Sequence, residues 1–266
     1  MNTYICRYCR QPSDPNSPTC PLCGAPVDIR SSVSDSGWVE QPPIKDMARL
    51  QFGQSHVQIA GTCVPVAEFN LAQNDWIYFS HHVLLWSEPQ TQLTNMPMRG
   101  AWNRKIAGMP LVMVEARGPG HIALSDNHAG EIVALPLQHN QQIWVREHAF
   151  LAGTHSLAYS FVRIKGLANV LHGGGGMYMD RFVTHQEPGL LLLHGYGNVF
   201  QKTLQPGEKI MVEPGGFLYK DSSVNMQAIK QNVKTGLMGG HSMYLAEMTG
   251  PGRVGIQSMY VHHHAD

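Results

Sequence analysis

From about Ala48 onward, apolar residues alternate with others in short runs, such as Val57-Gln58-Ile59, Ile122-Ala123-Leu124 and Ile210-Met211-Val212. In an extended chain successive side chains point to opposite faces, so a period of two predicts strands that each bury one face. Glycine and proline interrupt the runs at regular intervals, which predicts turns between them. Many short strands joined by Gly/Pro turns predict an all-β protein.

The pattern repeats. Glu68–Trp86, Ala134–Ala152 and Gln201–Tyr219 align without a gap. Leu71, Leu137 and Leu204 correspond, as do Ile77, Ile143 and Ile210, and then Leu84-Leu85, Phe150-Leu151 and Phe217-Leu218. The period is 66 and then 67 residues. A second unit also recurs, a strand, a Gly/Pro turn and another strand. It is centred on Gly118-Pro119-Gly120, Glu187-Pro188-Gly189 and Gly250-Pro251-Gly252, with Arg49–Ile59 as a degenerate first copy. Self-similarity at this spacing predicts modules that cannot close a core alone and must pack on one another. The expectation is three pseudo-repeated β-sandwich modules around a pseudo-threefold axis. They span about 48–108, 109–174 and 175–240, with a closing hairpin at 241–262 that packs against or completes the first module. Gly173–Gly176 and Gly239-Gly240 mark the joints, and the stretches from Phe161 and Val233 before them read as short helical or irregular connectors.

The first 47 residues differ from the rest. Residues 1–28 hold four of the chain's five cysteines, and 29–47 are Ser-rich with Pro42-Pro43, the composition of a linker. The whole chain has 19 Lys+Arg against 19 Asp+Glu, a formal charge of zero, and only 14% charged residues. That balance argues against a general nucleic-acid binder and leaves a quiet surface suited to self-association. The N-terminus lacks an apolar run behind basic residues, and the longest apolar stretch, Gly189 to His194, is too short to span a bilayer. The expectation is therefore a cytoplasmic protein with no transmembrane segment, peripheral membrane association remaining open.

The segment Gly236-Leu-Met-Gly239-Gly240, followed by Met243-Tyr244-Leu245, Met248-Thr249-Gly250-Pro251-Gly252 and Ile256-Gln257-Ser258, resembles the closing signature of the altered-inheritance-of-mitochondria (mitochondrial biogenesis) family. Gly195-Tyr196-Gly197 through Leu204, Pro206-Gly207-Glu208 and Pro214-Gly215 is similar to the same family. The resemblance covers roughly 48–262. It implies three modules similar to the tryptophan RNA-binding attenuator protein, and it implies no catalytic residues. Two features depart from the family pattern: His241 fills a position that is usually acidic, and the cysteine segment is an added module.

Cys6, Cys9, Cys20 and Cys23 form Cys-x2-Cys-x10-Cys-x2-Cys. Two tight turns bring four soft thiolates onto one ion, the requirement of a closed tetrahedral zinc site. With no open coordination position, the Zn2+ is structural and supplies most of the stability of so short a segment. Rubredoxin-like iron uses the same ligand set. Cys63 stands alone and reads as a small core residue. The histidines number 15, with His81-His82 in a turn by the repeat alignment and His262–His264 near the end. Solvated turn residues explain His81-His82 better than ligands do, and His262–His264 would bind adventitious nickel or zinc without implying function. His172-Gly173 to Gly176 mimics an oxyanion loop but lacks a nucleophile elbow. Basic residues group only at Arg99, Arg104 and Lys105, and at Arg7 and Arg10 beside Tyr8.

These observations predict a non-enzymatic scaffold or binding protein that carries its zinc ribbon as a docking element, with protein partners or self-assembly. Two alternatives stay open at this point. One is an enzyme or small-molecule binder using the histidine-rich turns or inter-module clefts. The other is an RNA-binding regulator.

Overall fold

A computed structural model describes residues 4–5, 12–13, 20–22, 36–41, 48–96, 113–164, 177–234 and 240–259. Among them the chain forms strands and two single-turn 3₁₀ segments, and no α-helix. The fold is all-β. Near the N-terminus β1 (Tyr4–Ile5) and β2 (Pro12–Ser13) pair, and β3 (Val39–Gln41) follows. An opening hairpin, β4 (Ala48–Phe52) and β5 (Ser55–Ala60), leads into the first module. That module holds β6 (Val66–Leu71), β7 (Trp76–Ser80), β8 (Leu84–Ser87), β9 (Gln92–Asn95), β10 (Met113–Arg117) and β11 (Gly120–Leu124). The second holds β12 (Gly130–Leu137), β13 (Gln142–Arg146), β14 (Phe150–Thr154), β15 (Leu157–Ile164), β16 (Met177–Thr184) and β17 (Gly189–Tyr196). The third holds β18 (Val199–Leu204), β19 (Lys209–Val212), β20 (Phe217–Asp221), β21 (Asn225–Lys234), β22 (Gly240–Thr249) and β23 (Gly252–Gln257).

The repeated sequence gives repeated pairing. In each module the last strand lies between the first and third, in the orders β6-β11-β8, β12-β17-β14 and β18-β23-β20. The register is the same each time: Leu71 faces Gly120, Leu137 faces Gly189 and Leu204 faces Gly252. The third strand carries an irregularity at one equivalent place, where Leu85, Leu151 and Leu218 are passed over in the ladder. The first turn also repeats. Asp75, Gln141 and Glu208 donate their backbone N–H to the carbonyls of Ala72, Gln138 and Gln205. The Gln141 and Glu208 side chains answer by accepting from the Gln138 and Gln205 N–H groups. Asp75 instead accepts from Gln54 and Ser55 of the opening hairpin. Gly120 and Gly252 take φ of +139° and +132° after the Gly-Pro turns, a region open to glycine.

The modules are joined by strand pairing. β7 of the first pairs with β14 of the second, and β13 of the second pairs with β20 of the third, with Ile77 opposite Thr154 and Ile143 opposite Asp221. Central strands therefore bury both faces. Leu190 and Leu192 of β17 enter one core with Phe69, Ile77 and Ile122, while Leu191 and Leu193 enter a second with Tyr78, Ile143 and Phe182. A third core gathers Leu204, Phe217, Met248 and Val254.

Three expectations change. The closing hairpin β22–β23 completes the third module, because β23 pairs with β18 and β20. The first module takes the opening hairpin instead, through β5 and β6. Phe161–Ile164 and Val233-Lys234 are strand ends rather than connectors, paired along their length with β16 and β22. Part of the expected linker is docked: β3 adds to β18, Trp38 packs on the third core, and Lys202 Nζ donates to the Ser36 carbonyl at 2.6 Å.

Candidate functional site

The cysteine motif falls largely outside the described residues, which exclude Cys6, Cys9 and Cys23. Cys20 lies within them and is buried. Cys6 and Cys9 fall in sequence between the paired strands β1 and β2. Cys63 is exposed, contrary to its reading as a core residue. It sits in the loop between β5 and β6, held from its backbone by the Gly130 N–H at 2.9 Å, so its side chain is turned away from the core. The basic group Arg99, Arg104 and Lys105, the residues Arg7, Tyr8 and Arg10, the His172–Gly176 loop and His262–His264 also lie outside the described residues.

His81 and His82 form the short 3₁₀ turn His81–Val83, in which Val83 is buried and both imidazoles are exposed. The turn location matches the repeat alignment. Among the described residues no three or more His, Cys, Asp or Glu side chains gather to hold a metal.

The structure does assemble a polar group that sequence spacing did not reveal. Asp126 Oδ1 accepts from the His128 N–H at 3.0 Å and lies 2.7 Å from His128 Nδ1. The His128 ring meets Tyr196 edge-on at 5.2 Å between centroids, and His194 packs on the same tyrosine at 5.5 Å. His194 is 2% exposed, and among the described residues neither ring nitrogen has a hydrogen-bond partner. Burial drives its pKa below the ordinary histidine value, against the pull of Asp126 and with the push of His128. Tyr196 is pushed up to about 12, chiefly by burial and then by Asp126, with Arg146 opposing. Burial thus favours the neutral imidazole and the un-ionised phenol.

The alternative reading, an enzyme or small-molecule binder, would use inter-module clefts, and two clefts bear on it. One, of about 470 Å³, lies between the opening hairpin and the second module, lined by Leu50, Phe52, Pro136, Leu137, His155 and Leu190 among others. It is mostly apolar. The other, of about 360 Å³, has Lys220, Trp144, Val224 and Met226 in its wall. Lys220 is 3% exposed, and burial lowers its pKa to about 8 with Asp221 opposing. Its Nζ is already committed, donating to the Val224 carbonyl at 2.7 Å and lying 4.3 Å from the Trp144 ring centroid.

Residues 57–259 match the sequence profile described as mitochondrial biogenesis AIM24. The chain belongs to the AIM24 family. The match takes in all three modules and leaves Cys6–Cys23 outside it. The uncharacterized protein M6_Spy0233 of Streptococcus pyogenes serotype M6 is 28% identical over 156 residues, covering 54% of this chain and 61% of that protein. The chain thus spans less than two thirds of this relative's length. The crystal structure of protein SPYM3_0169 from Streptococcus pyogenes shares the fold, with a TM-score of 0.58 at 19% identity, over 77% of this chain and 94% of that one.

Within this AIM24 body the unusual surface is an edge. Phe150, Leu151 and Ala152 on β14, and Phe217, Leu218 and Tyr219 on β20, are all at most 2% exposed. Their equivalents on β8, Leu84, Leu85 and Trp86, are 37%, 57% and 42% exposed. The difference is a neighbour. β14 is flanked by β7 and β20 by β13, while among the described residues β8 pairs with β11 alone.

Proposed function

We propose that the protein is a non-enzymatic scaffold that works by contact, with the β body as a binding platform and the N-terminal segment as a docking element. The observation that carries this reading is the exposed apolar strip Leu84-Leu85-Trp86, set against two buried equivalents in the same chain. Apolar strips of this kind mark interaction sites on soluble proteins. Lys220, the buried cation in the wall of the second cleft, is spent on structure, donating to the Val224 carbonyl.

In this reading Cys6, Cys9, Cys20 and Cys23 hold a structural zinc. The donor set is four thiolates, and the burial of Cys20 fits a ligand inside a closed site better than an exposed reactive thiol. Each module is attenuator-protein-like and the protein acts in the cytoplasm. Metal analysis of the purified full chain tests the ribbon: one zinc per chain, lost in the Cys6→Ser/Cys9→Ser double variant, supports it. Cross-linking with mass spectrometry on native complexes tests the platform. Cross-links at β8 and the N-terminal segment support it. Turnover of a substrate that is lost on His128→Ala would overturn the non-enzymatic reading.

A further inference from the structure

The exposed strip has a cognate partner inside the same sequence. Each of the first two modules lends its second strand to the third strand of the next: β7 to β14 and β13 to β20. The third module also has a second strand, β19, and it gives nothing onward. Among the described residues β19 pairs with β22 alone and β8 with β11 alone. β19 exposes Met211 at 44%, while its first-module equivalent Tyr78 is 1% exposed. Among the described residues one junction is thus left unmade, with its two halves on separate sheets.

We infer that β19 of one copy pairs with β8 of a second copy, making between molecules the junction that is made twice within each. This inference rests on the scaffold reading and names its partner as the chain itself. The register follows from the two existing junctions. Phe79 faces Ala152 and Val145 faces Tyr219, so Val212 faces Trp86. Tyr78 faces Gly153 and Trp144 faces Lys220, so Met211 faces Ser87. Pairing in this register supplies β8 with the neighbour that buries its equivalents. Unpaired strand edges are templates for such addition.

The charges agree. At the junction of the second and third modules, Arg146 Nη1 at the end of β13 donates to the carbonyls of Pro214 and Gly215. In the repeat, Arg146 corresponds to Glu213, and Pro214-Gly215 correspond to His81-His82. The new junction therefore brings Glu213, whose carboxylate already accepts from the Gly216 N–H at 3.0 Å, to His81-His82, whose imidazole N–H groups are hydrogen-bond donors to it. The two surfaces differ, so the contact is head-to-tail and builds a ring or a filament rather than a two-fold dimer.

Sedimentation of the full-length chain with two edge variants tests this. Leu85→Lys blocks β8 and Met211→Lys blocks β19, both at exposed positions where unfolding curves should match the wild type. The wild type should form oligomers whose mass rises with concentration, and each variant alone should be monomeric. An equimolar mixture of the two variants should give a dimer, because one live β19 and one live β8 remain. In parallel, the Ser87→Cys/Met211→Cys double variant should give a disulfide-linked ladder on oxidation that neither single variant shows. A wild type that stays monomeric, a mixture that stays monomeric, or a disulfide closing within one chain would overturn the inference. Any of these would still leave the strip open to a different protein. The scaffold reading itself falls if native complexes survive Leu85→Lys and loss of residues 1–47 unchanged.

Discussion

Leu85, Leu151 and Leu218 occupy one position in the repeat, each passed over in the ladder of its module's third strand. Truncating each to alanine removes the same atoms from three settings. Leu151 and Leu218 are fully buried, and Leu85 is 57% exposed. For the buried pair, lost transfer energy plus the cavity left behind costs about 2–5 kcal/mol each. At about 2–4 °C per kcal/mol for a folded body of this size, that lowers the melting temperature by roughly 5–15 °C. For Leu85 half of the side chain is already in water and no cavity forms, so the cost in a dilute monomer is about 0.5 kcal/mol or less. Urea titration of the three variants at low concentration, followed by tryptophan fluorescence, reads the difference as a shift in midpoint at constant slope. Equal losses at all three positions would refute the reasoning, because they would mean that β8 is as well covered as β14 and β20.

Three other outcomes are expected. His194 is buried with its pKa lowered, so the unfolded chain binds the extra proton first. The fold is at full strength above the unfolded value of about 6.5 and loses stability as pH falls below it; melting temperatures from pH 7.5 to 5.5 should fall more steeply for the wild type than for His194→Leu, and parallel slopes would contradict this. A Cβ at Gly255 would fall inside contact with the ring of fully buried Tyr219, whose hydroxyl donates to Gln201 Oε1 at 2.6 Å, so Gly255→Ala should cost about 1–3 kcal/mol, and a change within 0.5 kcal/mol, the range of about neutral surface substitutions, would show that the site is not packed this way. Asp75 accepts from the Gln54 N–H at 2.8 Å and from Ser55 Oγ at 2.6 Å, so Asp75→Ala should destabilise the protein by about 1–3 kcal/mol, with early loss of hydrogen-exchange protection in β4 and β5; unchanged protection there would argue against the tie.

The strands of the repeat were legible because each carries a local signal. The aligned leucines and isoleucines, the Gly-Pro turns and the alternation from Val57 onward mark positions that the pairing then uses. What failed was long-range. Phe161–Ile164 and Val233-Lys234 read as connectors because no local pattern announces a ladder whose partner strand, β16 or β22, begins only at Met177 or Gly240, on the far side of the intervening segment. Leu84-Leu85-Trp86 look like Phe150-Leu151-Ala152 in sequence, and only the presence or absence of a flanking strand separates exposed from buried. The Asp126–His128–His194 group was invisible for the same reason, since the end of β17 reaches the loop after β11 through sheet pairing. His81 and His82 meet edge-on at 5.7 Å between centroids, and His82 lies within electrostatic reach of Asp126 and His128, so adjacency in the chain marked one edge of the group that sheet pairing completes. Cys63 shows the limit of residue type as a guide: a cysteine beside a valine reads as core, yet the loop holds it by its backbone.

The central claim is that one junction of a three-module body is left for another molecule to complete. Amide hydrogen exchange on the full-length protein at low and high concentration tests it at the residues concerned. The account predicts that the outward-facing amides of Leu84–Ser87 and Lys209–Val212, those not bonded to β11 or β22, exchange rapidly when dilute and become protected together as concentration rises, while β14 and β20 stay protected throughout. Exchange at both edges that does not change with concentration would contradict it.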